Sequence, residues 1–371
     1  MKIGRRELLA GLALPLIGPA PSPIEAIVKA MDAIPAGPAL LASYPVNPPP
    51  ALQDAAFIYD NALALIAFAA TGHPSQALRI GEALLIALDH DRFWHDGRLR
   101  NAYRAGPMTA PAALPGYWNA SAKLWNEDAY QVGTASGNIA WAALSLFHLA
   151  KADPRFAAAG RRLTRWLTSA VWDHGVIGGF FGEEPTPIRQ TWHSTEQNLD
   201  AAVVLSLAGD PRADVCRAFV AAAFDPVRGC FNIGSGGGST ALDANLWPLL
   251  AFPDAPKAWS RSLDWVRSRF QTEDGLGYRE HPDGMWTEGT AQGALTFARA
   301  GDSGIAKQLL GAALRMSSPN GYLFAAKHEI RTGLAVGPTS STDDFRYYPL
   351  PHLGATAWAA LAMADSNPFL I

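Results

Sequence analysis

Four carboxylates stand at the starts of apolar, helix-like segments, where a simple core would not place them. They are Asp60, Glu196, Asp200 and Glu288. Glu196 and Asp200 lie four residues apart and share one helical face, where two like charges repel each other. Paired carboxyl groups perform acid–base catalysis when one holds a proton and the other is ionised. A helix N-terminus favours the ionised form and an apolar setting the protonated form. We therefore expect these four residues to be catalytic.

Helix capping is the structural alternative for the same acids. Asp60 is placed to cap the helix that it begins. Thr287 is the expected cap ahead of Glu288, which would leave Glu288 in the first turn, where it favours the helix dipole. Thr240 and Asp243 fit a capping box, which is a sufficient account of that acid and makes it a weaker catalytic candidate.

Aromatic, amide and acidic residues cluster around these starts and in the first long loop. Such a mixture suits a ligand rich in hydroxyl groups. The residues that we expect to bind substrate are Tyr59, Asn61, Trp125, Glu127, Asp128, Trp192, His193, Asn198, Trp286 and Gln292. His193 and His352 lie at two of the starts, and a hydrogen-bonded structural role is the alternative for both. Asp343 and Asp344 form a similar cluster in a late loop.

Apolar residues recur at helical spacing along most of the chain. The segments are about 52–70, 75–88, 137–150, 156–172, 195–208, 212–224, 242–252, 255–270, 288–300, 305–316 and 354–364. Strand-like runs are few and short, such as 229–233 and 321–325. The sequence therefore predicts a mostly α protein.

The helical segments are of two alternating kinds. Segments such as 62–70 are apolar nearly all round and should be buried, whereas segments such as 161–167 carry charge on one face. The buried kind begins with polar residues at six places. Six inner helices with parallel N-termini inside six outer helices describe an (α/α)6 toroid, with all polar starts at one mouth. The long loops 89–134, 173–194 and 317–351 would enter the same mouth.

Short strings at the starts resemble the six-hairpin glycosidase-type proteins. The strings are 59–64, 194–200, 286–292 and 354–358. Members of that superfamily are (α/α)6 toroids and include many glycoside hydrolases and some polysaccharide lyases. As a pattern, the resemblance covers residues 50–371. It implies a glycoside hydrolase that acts on a polysaccharide or oligosaccharide and, by analogy with the fold, inverts the anomeric configuration.

In that chemistry one carboxyl group protonates the leaving oxygen, and a second acts as base or nucleophile. The general acid is expected to be Glu288 or Glu196, and the base or nucleophile Asp60 or Asp200. A polysaccharide lyase, using residues such as Tyr59 and Arg189 with His193 and Asn198, ranks lower because an acid-rich mouth repels a uronate. A non-catalytic glycan-binding protein is a further alternative.

Composition excludes several other classes. The chain has 371 residues, 30 Lys and Arg against 33 Asp and Glu, and no basic block, so a nucleic-acid partner is not expected. No metal-ligand spacing or cofactor motif occurs, and we expect neither a metal nor a cofactor. Cys216 and Cys230 are the two cysteines; a bridge between them is possible, and two free thiols are the favoured alternative.

The N-terminus resembles a twin-arginine export signal. Arg5 and Arg6 precede an uncharged run over 8–17 that is too short for a stable membrane span. An ordinary N-terminal helix is the alternative. We expect 1–22 to be an export segment and 23–371 a single toroid domain. The location would be periplasmic or secreted, with no stable membrane span after export.

Overall fold

A computed structural model describes residues 21–182, 184–235, 237–338 and 344–371. The arginine pair and apolar run of the predicted export signal, and Asp343, lie outside the described residues. The described helices are α1 (Pro23–Ala33), α2 (Ile58–Ala70), α3 (Pro74–His90), α4 (Ala129–Val132), α5 (Ser136–His148), α6 (Pro154–Ala170), α7 (Thr195–Ala208), α8 (Ala213–Ala223), α9 (Leu242–Ala251), α10 (Arg261–Arg269), α11 (Thr287–Arg299), α12 (Ser303–Leu314) and α13 (Leu353–Met363). Short 3-10 turns lie at Pro50–Leu52 and Lys257–Ser260.

Six helices form a closed inner ring. In order they are α2, α5, α7, α9, α11 and α13, each packed against the next, and α13 returns to pack against α2. Each of the first five inner helices is followed by an outer helix that packs against it. These outer helices are α3, α6, α8, α10 and α12. The predicted (α/α)6 toroid is confirmed.

The sixth outer helix is α1, which the sequence segments did not include. It packs against α13, so the first and last helices form the hairpin that completes the ring. The sequence signal for the start of α1 is a capping box. In it the Ser22 side chain accepts from the Glu25 backbone N–H, and the Glu25 carboxylate accepts from the Ser22 backbone N–H. This box marks a helix start directly after the segment predicted for export.

Inner and outer helices differ as the two residue patterns predict. The α2 helix is buried from Ala62 through Phe68 because alanine and leucine occupy every face. The α6 helix instead buries Phe156, Leu163 and Trp166 and leaves Arg161 and Arg165 exposed. Small alanine side chains let the inner helices approach closely, and large residues fill the space between the layers.

Most inner helices begin without a side-chain cap, contrary to the capping predictions. The N-cap residues of α2, α5, α9 and α11 are Phe57, Ala135, Ala241 and Trp286, and none of them accepts a capping hydrogen bond. The predicted caps at Asp60, Thr287 and Thr240–Asp243 are therefore wrong. Short strand pairs bring the chain into these helices, so the polar groups of the first turns remain available.

Short antiparallel strand pairs lie at the ends of the helices. The strands are β1 (Ala39–Leu40), β2 (Ala55–Phe57), β3 (Ala102–Arg104), β4 (Gly106–Pro107), β5 (Tyr117–Asn119), β6 (Leu124–Asn126), β7 (Thr134–Ala135), β8 (Val171–Trp172), β9 (Gly175–Val176), β10 (Gly179–Phe181), β11 (Ile188–Gln190), β12 (Phe224–Asp225), β13 (Cys230–Phe231), β14 (Leu323–Phe324), β15 (Ile330–Arg331), β16 (Arg346–Tyr347) and β17 (Pro351–His352). The largest sheet has three strands, β11–β10–β7. The runs predicted over 229–233 and 321–325 correspond to β13 and β14.

Cys216 and Cys230 are both buried and form no disulfide. Burial raises the pKa of the Cys216 thiol to about 12 and that of the Cys230 thiol to about 11. Both therefore remain protonated at neutral pH and pack as small apolar groups. No helix among the described residues combines the length and apolarity needed to cross a membrane.

Candidate active site

A cavity of about 900 Å³ opens where the inner helices begin. All six inner-helix starts contribute to its lining: Tyr59 and Asp60, Gly137 and Trp141, Glu196 and Gln197, Asp243 and Trp247, Glu288, and His352. The long loops add further lining residues, among them Asp128, Tyr130, Gln131, Gly178, Phe180, Phe181 and the segment 334–338. The ring thus brings together side chains from both ends of the chain, as the polar starts predicted.

On one side of the cavity lies a group that we call the histidine cluster: Asp60, Glu288 and His352. The Nε2 atom of His352 lies 3.4 Å from Oδ2 of Asp60, and its Nδ1 atom lies 3.8 Å from Oε2 of Glu288. All three side chains are buried. One imidazole therefore stands between two carboxyl groups that belong to different helices.

The backbone fixes the tautomer of His352. Its Nδ1 atom accepts a hydrogen bond from the Ala355 N–H at 3.3 Å, which caps α13. In the neutral ring the proton therefore resides on Nε2 and faces Asp60. Burial lowers the pKa of His352, but the charges of Asp60 and Glu288 outweigh burial, and the pKa is raised overall.

Glu288 is held by a chain of hydrogen bonds from inside the ring. The Tyr59 hydroxyl donates to Oε1 of Glu288 at 2.7 Å, and the Trp358 indole N–H donates to that hydroxyl at 2.9 Å. Gln292, one turn along α11, donates to the same Oε1 at 3.3 Å. The other oxygen, Oε2, has no hydrogen-bond partner. Burial raises the pKa of Glu288 to about 7, with His352 opposing the rise and Asp60 adding to it.

A glycine leaves the space in which the histidine cluster meets. A Cβ atom on Gly354, in the first turn of α13, would lie 2.7 Å from Oδ1 of Asp60 and 2.8 Å from Oε2 of Glu288. Real Cβ atoms do not approach other atoms this closely, so any side chain here would displace one of the carboxyl groups. The two oxygens therefore converge on one point beside the imidazole.

Across the ring lies a second group, the acid cluster, of Glu196, Asp200 and Asp243. Burial raises the pKa of Glu196 and Asp200 well above their ordinary values, and the neighbouring acids add to the rise. Burial also raises the pKa of Asp243, to about 6, although its carboxylate accepts the Ala244 N–H at 2.6 Å. Among the described residues, no Lys, Arg or His forms an ion pair with this cluster.

Indole rings form the floor between the two clusters. Trp141 and Trp247 pack edge to face, with centroids 5.5 Å apart, and both contact the Tyr59 ring. Trp247 and Trp286 line the cavity, and their buried indole nitrogens have no hydrogen-bond partner. Unpaired buried donors are costly to the folded state. The floor is therefore apolar over most of its area.

The structure places eight of the predicted site residues in the cavity lining. They are Tyr59, Asp60, Asp128, Trp192, His193, Glu196, Trp286 and Glu288. Two of them also have structural roles. Asp128 caps α4 by accepting from the Tyr130 and Gln131 N–H groups, and the Nδ1–H group of His193 donates to the Val176 carbonyl oxygen at 2.9 Å. Trp286 is only 2% exposed, so it offers an edge and not the open stacking surface predicted for it.

Six predicted site residues lie outside the lining. Asn61 and Asn198 use their amides on backbone groups, which they tie to the helix starts. Gln292 reaches the cavity only through Glu288. Glu127 pairs with Arg92 at 2.8 Å, and Trp125 stands exposed on the β5–β6 hairpin.

Asp200 is the sixth, and its role as a catalytic group stays a prediction. Asp200 is one turn further along α7 than Glu196, about 6 Å deeper along the helix axis. Its two oxygens are buried and complete no hydrogen bond, although the Trp141 indole partly opposes the rise in its pKa.

Sequence reasoning underestimated two residues. For His352 the sequence favours a hydrogen-bonded structural role over a contact with substrate, and for Asp243 it favours a capping box. Both residues lie at an inner start, the signal that they share with Asp60 and Glu288. Trp141 and Trp247 were assigned to the core, and they are indeed buried, but each also presents an edge to the cavity.

Comparisons with known proteins extend the fold assignment. No family profile and no curated protein sequence matches the chain. A solved wild-type glycosidase is similar, with a TM-score of 0.63 at 14% identity, covering 92% of this chain and 96% of that one. A cellobiose 2-epimerase from Bacillus thermoamylovorans has a TM-score of 0.60 at 11% identity, with coverages of 92% and 95%.

An α-amylase from Clostridium perfringens has a TM-score of 0.64 at 7% identity, covering 92% of this chain and 97% of that one. The chain has the fold of these sugar-processing enzymes. At such low identities the likeness concerns the fold, and the chemistry must be argued from the side chains of the cavity.

Proposed function

We propose that this chain is a glycoside hydrolase that acts on a polysaccharide or oligosaccharide. One observation carries the proposal: Glu288, whose second carboxyl oxygen has no hydrogen-bond partner, lines a cavity together with other carboxyl groups and indole rings. Sugars match such a lining because their C–H faces pack on aromatic rings and their hydroxyl groups meet buried donors and acceptors. The fold shared with a glycosidase and an α-amylase supports this choice.

Glu288 is the general acid in this proposal. A carboxyl group can protonate a leaving oxygen only if it holds its proton near the working pH. The burial that raises the pKa of Glu288 to about 7 meets this requirement. Tyr59 and Gln292 hold Oε1, which leaves Oε2 free to carry the proton towards the glycosidic oxygen. The charges of Asp60 and His352 act on the pKa of Glu288 in opposite directions.

Asp243 is the proposed base that activates water. It lines the cavity from α9 and, with a pKa of about 6, is the acid-cluster member that is ionised at neutral pH. Burial raises the pKa of Glu196 well above its ordinary value, and we assign it as a hydrogen-bond donor to substrate. A water activated opposite the general acid gives inversion at the anomeric carbon, which remains part of the proposal.

The test is release of new reducing ends from a set of neutral polysaccharides and their oligosaccharides. We expect the wild-type chain to cleave at least one, and the first product to have the anomeric configuration opposite to that of the cleaved bond, read by proton NMR. Retention of configuration would overturn the water-activating role of Asp243. No cleavage of any substrate across pH 5–8 would overturn hydrolysis itself.

A sugar epimerase is a second candidate because His352 stands between two carboxyl groups. An imidazole placed so can remove a proton from a carbon next to a carbonyl group, with a carboxyl group protonating the oxygen. The cellobiose 2-epimerase with the same fold supports this candidate. An epimerase in D2O would place deuterium on a sugar carbon and create no reducing ends, whereas a hydrolase does the reverse.

A polysaccharide lyase is disfavoured by the charge of the cavity. Six acids line it, Asp60, Asp128, Glu196, Asp243, Glu288 and Asp344. Arg346 is the arginine of the described lining, and it pairs with Glu329 at 2.6 Å. A uronate would therefore meet repulsion, and we expect no product with ultraviolet absorbance. A non-catalytic glycan-binding protein would bind substrate equally well before and after Glu288→Gln, with no turnover in either.

Export by the twin-arginine route is part of the proposal. Its support is the Arg5–Arg6 pair with the short apolar run after it. A folded toroid whose first and last helices pack together is complete only when the whole chain has been made, which suits a route that carries folded proteins. Changing both arginines to lysine should leave the protein in the cytoplasm; periplasmic recovery equal to that of the parent would contradict it.

A further inference from the structure

Two exposed tryptophans stand outside the cavity on one short hairpin. Trp118 on β5 and Trp125 on β6 are direct cross-strand partners. Trp118 is 60% exposed and Trp125 is 47% exposed. Residues opposite each other in an antiparallel pair project from the same face, so the two indoles share one face of the hairpin. Leaving this much aromatic surface in water is unfavourable, and a ligand would remove the cost.

The Trp125 ring is held in place before any ligand arrives. A Cβ atom on Gly116 would lie 2.4 Å from the Trp125 indole nitrogen, so only glycine leaves room for the ring. The Arg104 guanidinium lies 5.4 Å from the ring centroid. A side chain that is already fixed loses little conformational entropy on binding.

The hairpin is also next to the mouth of the cavity. Three residues after Trp125 the chain reaches Asp128, which lines the cavity. Three residues of extended chain span at most about 10 Å. A linear ligand that leaves the cavity near Asp128 would therefore meet the indoles within a few sugar units.

We propose that Trp118 and Trp125 form a stacking platform that holds a polysaccharide chain beside the catalytic cavity. The platform rests on the proposed function, because it assigns the substrate to long polysaccharides in preference to short oligosaccharides. The indole faces pack against the C–H faces of sugar rings.

The chemistry of the hairpin favours a glycan over other occupants. A stable protein partner needs an interface of about 1,000 Å² or more, which exceeds two indoles and Leu124. An anionic membrane attracts clustered cations, but Lys123 is the lone Lys or Arg between residues 117 and 126. A narrow aromatic strip on one face of the hairpin matches a single sugar chain.

Binding is tested in a background that cannot turn over the ligand. The Glu288→Gln protein is run through native gels that contain soluble starch, mixed-linkage β-glucan, xylan or glycol chitosan. We expect retardation by at least one polysaccharide. Adding Trp118→Ala and Trp125→Ala should weaken the affinity about tenfold or more. The matched control is Trp172→Ala, which removes another exposed tryptophan, one that packs against the Arg189 guanidinium away from the hairpin.

Kinetics separate the platform from the cavity in the active enzyme. On the polysaccharide, the two substitutions should raise KM about tenfold and leave kcat within twofold. On an oligosaccharide short enough to fill only the cavity, both constants should stay within twofold. Circular dichroism should not change and the melting temperature should change little, because both indoles project from a surface hairpin outside the helical ring.

Each result has a definite reading. Retardation that the two substitutions leave intact overturns the platform, as does an equal rise in KM on long and short substrates. The platform is also overturned if no polysaccharide retards the protein and the two substitutions instead abolish binding to anionic lipid vesicles or dissociate a dimer. If the wild-type chain cleaves nothing but platform-dependent retardation persists, hydrolysis fails while the platform stands.

Discussion

The two acidic groups of the cavity solve the problem of buried charge in opposite ways. The histidine cluster surrounds one imidazole with Asp60 and Glu288, so a positive charge is available to offset a negative one. The acid cluster of Glu196, Asp200 and Asp243 has no such partner among the described residues, and all three have raised pKa values. Burial of a charge is costly unless it is paired, and an unpaired acid avoids the cost by keeping its proton.

This difference separates chemistry from stability. In the histidine cluster, small changes of local charge decide whether Glu288 holds its proton near neutral pH, which is what a general acid requires. In the acid cluster, Asp200 lies outside the cavity lining, and ionisation of its buried, unpaired carboxyl group lowers the stability of the folded state. We therefore expect substitutions in the first group to affect turnover and substitutions of Asp200 to affect unfolding.

Glu288→Gln should have the largest effect on turnover. The amide preserves the shape but cannot supply the proton, and loss of a general acid typically costs 10²- to 10⁴-fold in rate. We expect kcat to fall by about 10³-fold with KM little changed, measured by release of reducing ends. Glu273→Gln, at an exposed position, is the matched control and should retain full activity. A fall of less than tenfold in Glu288→Gln would remove Glu288 from the role of acid.

Asp200→Asn should stabilise the protein, and more so as pH rises. The folded-state pKa of Asp200 is raised above its unfolded value of about 3.9. Between these two values the folded state binds a proton that the unfolded state does not. Wild-type stability therefore falls with rising pH through that window, by up to about 1.4 kcal/mol per pH unit. The asparagine variant lacks this loss.

Urea unfolding at pH 4, 5, 6 and 7 checks the prediction. The free energies of unfolding of wild type and Asp200→Asn should be closest at pH 4 and diverge steadily above it. Asp214→Asn, an exposed change on α8, should run parallel to the wild type. If Asp200→Asn also runs parallel, Asp200 ionises freely and the acid cluster is not what the geometry indicates.

The contrast between Glu196 and Asp200 also shows what a sequence can establish. Their spacing correctly placed both on one face of α7, and the bounds of that helix, 195–208, were predicted to the residue. Spacing does not tell how deep along the axis the cavity floor lies, and that depth separates the two acids. Likewise, Tyr59 meets Glu288 across 229 positions of sequence. Periodicity predicts the ring, but only closure of the ring brings Asp60, Glu288 and His352 together.

One glycine substitution beside each cluster allows the effects of the two clusters on kcat to be compared directly. Gly354→Ala places a Cβ atom within 2.8 Å of oxygens of Asp60 and Glu288, whereas Gly137→Ala places one 3.1 Å from Cγ of Gln197 and 3.3 Å from Oδ2 of Asp200. Both changes improve helix propensity by about 1 kcal/mol. We expect Gly354→Ala to lower kcat about tenfold by displacing a carboxyl group, and Gly137→Ala to lower it no more than about twofold. Equal kcat values for the two variants would contradict the convergence at Gly354.

The finest test moves the pKa of Glu288 in opposite directions. His352 lowers this pKa and Asp60 raises it. The alkaline limb of the pH profile of kcat/KM reports the loss of the Glu288 proton, and in the wild type it should lie near pH 7. His352→Gln removes the positive charge, so Glu288 keeps its proton longer and the limb should rise by about one pH unit.

Asp60→Asn removes the neighbouring negative charge, so the limb should move below that of the wild type. The downward shift is the smaller of the two, because Asp60 also raises the pKa of His352 and its loss weakens the imidazolium that opposes the Glu288 proton. Glu273→Gln again serves as the control and should leave the limb in place. Shifts of the same sign in His352→Gln and Asp60→Asn would show that the limb belongs to another group. Opposite shifts would mean that the His352 imidazole and the Asp60 carboxylate together set the pKa at which Glu288 acts as an acid. The acid cluster has no ion-paired cation among the described residues, so its pKa values are not controlled in this way.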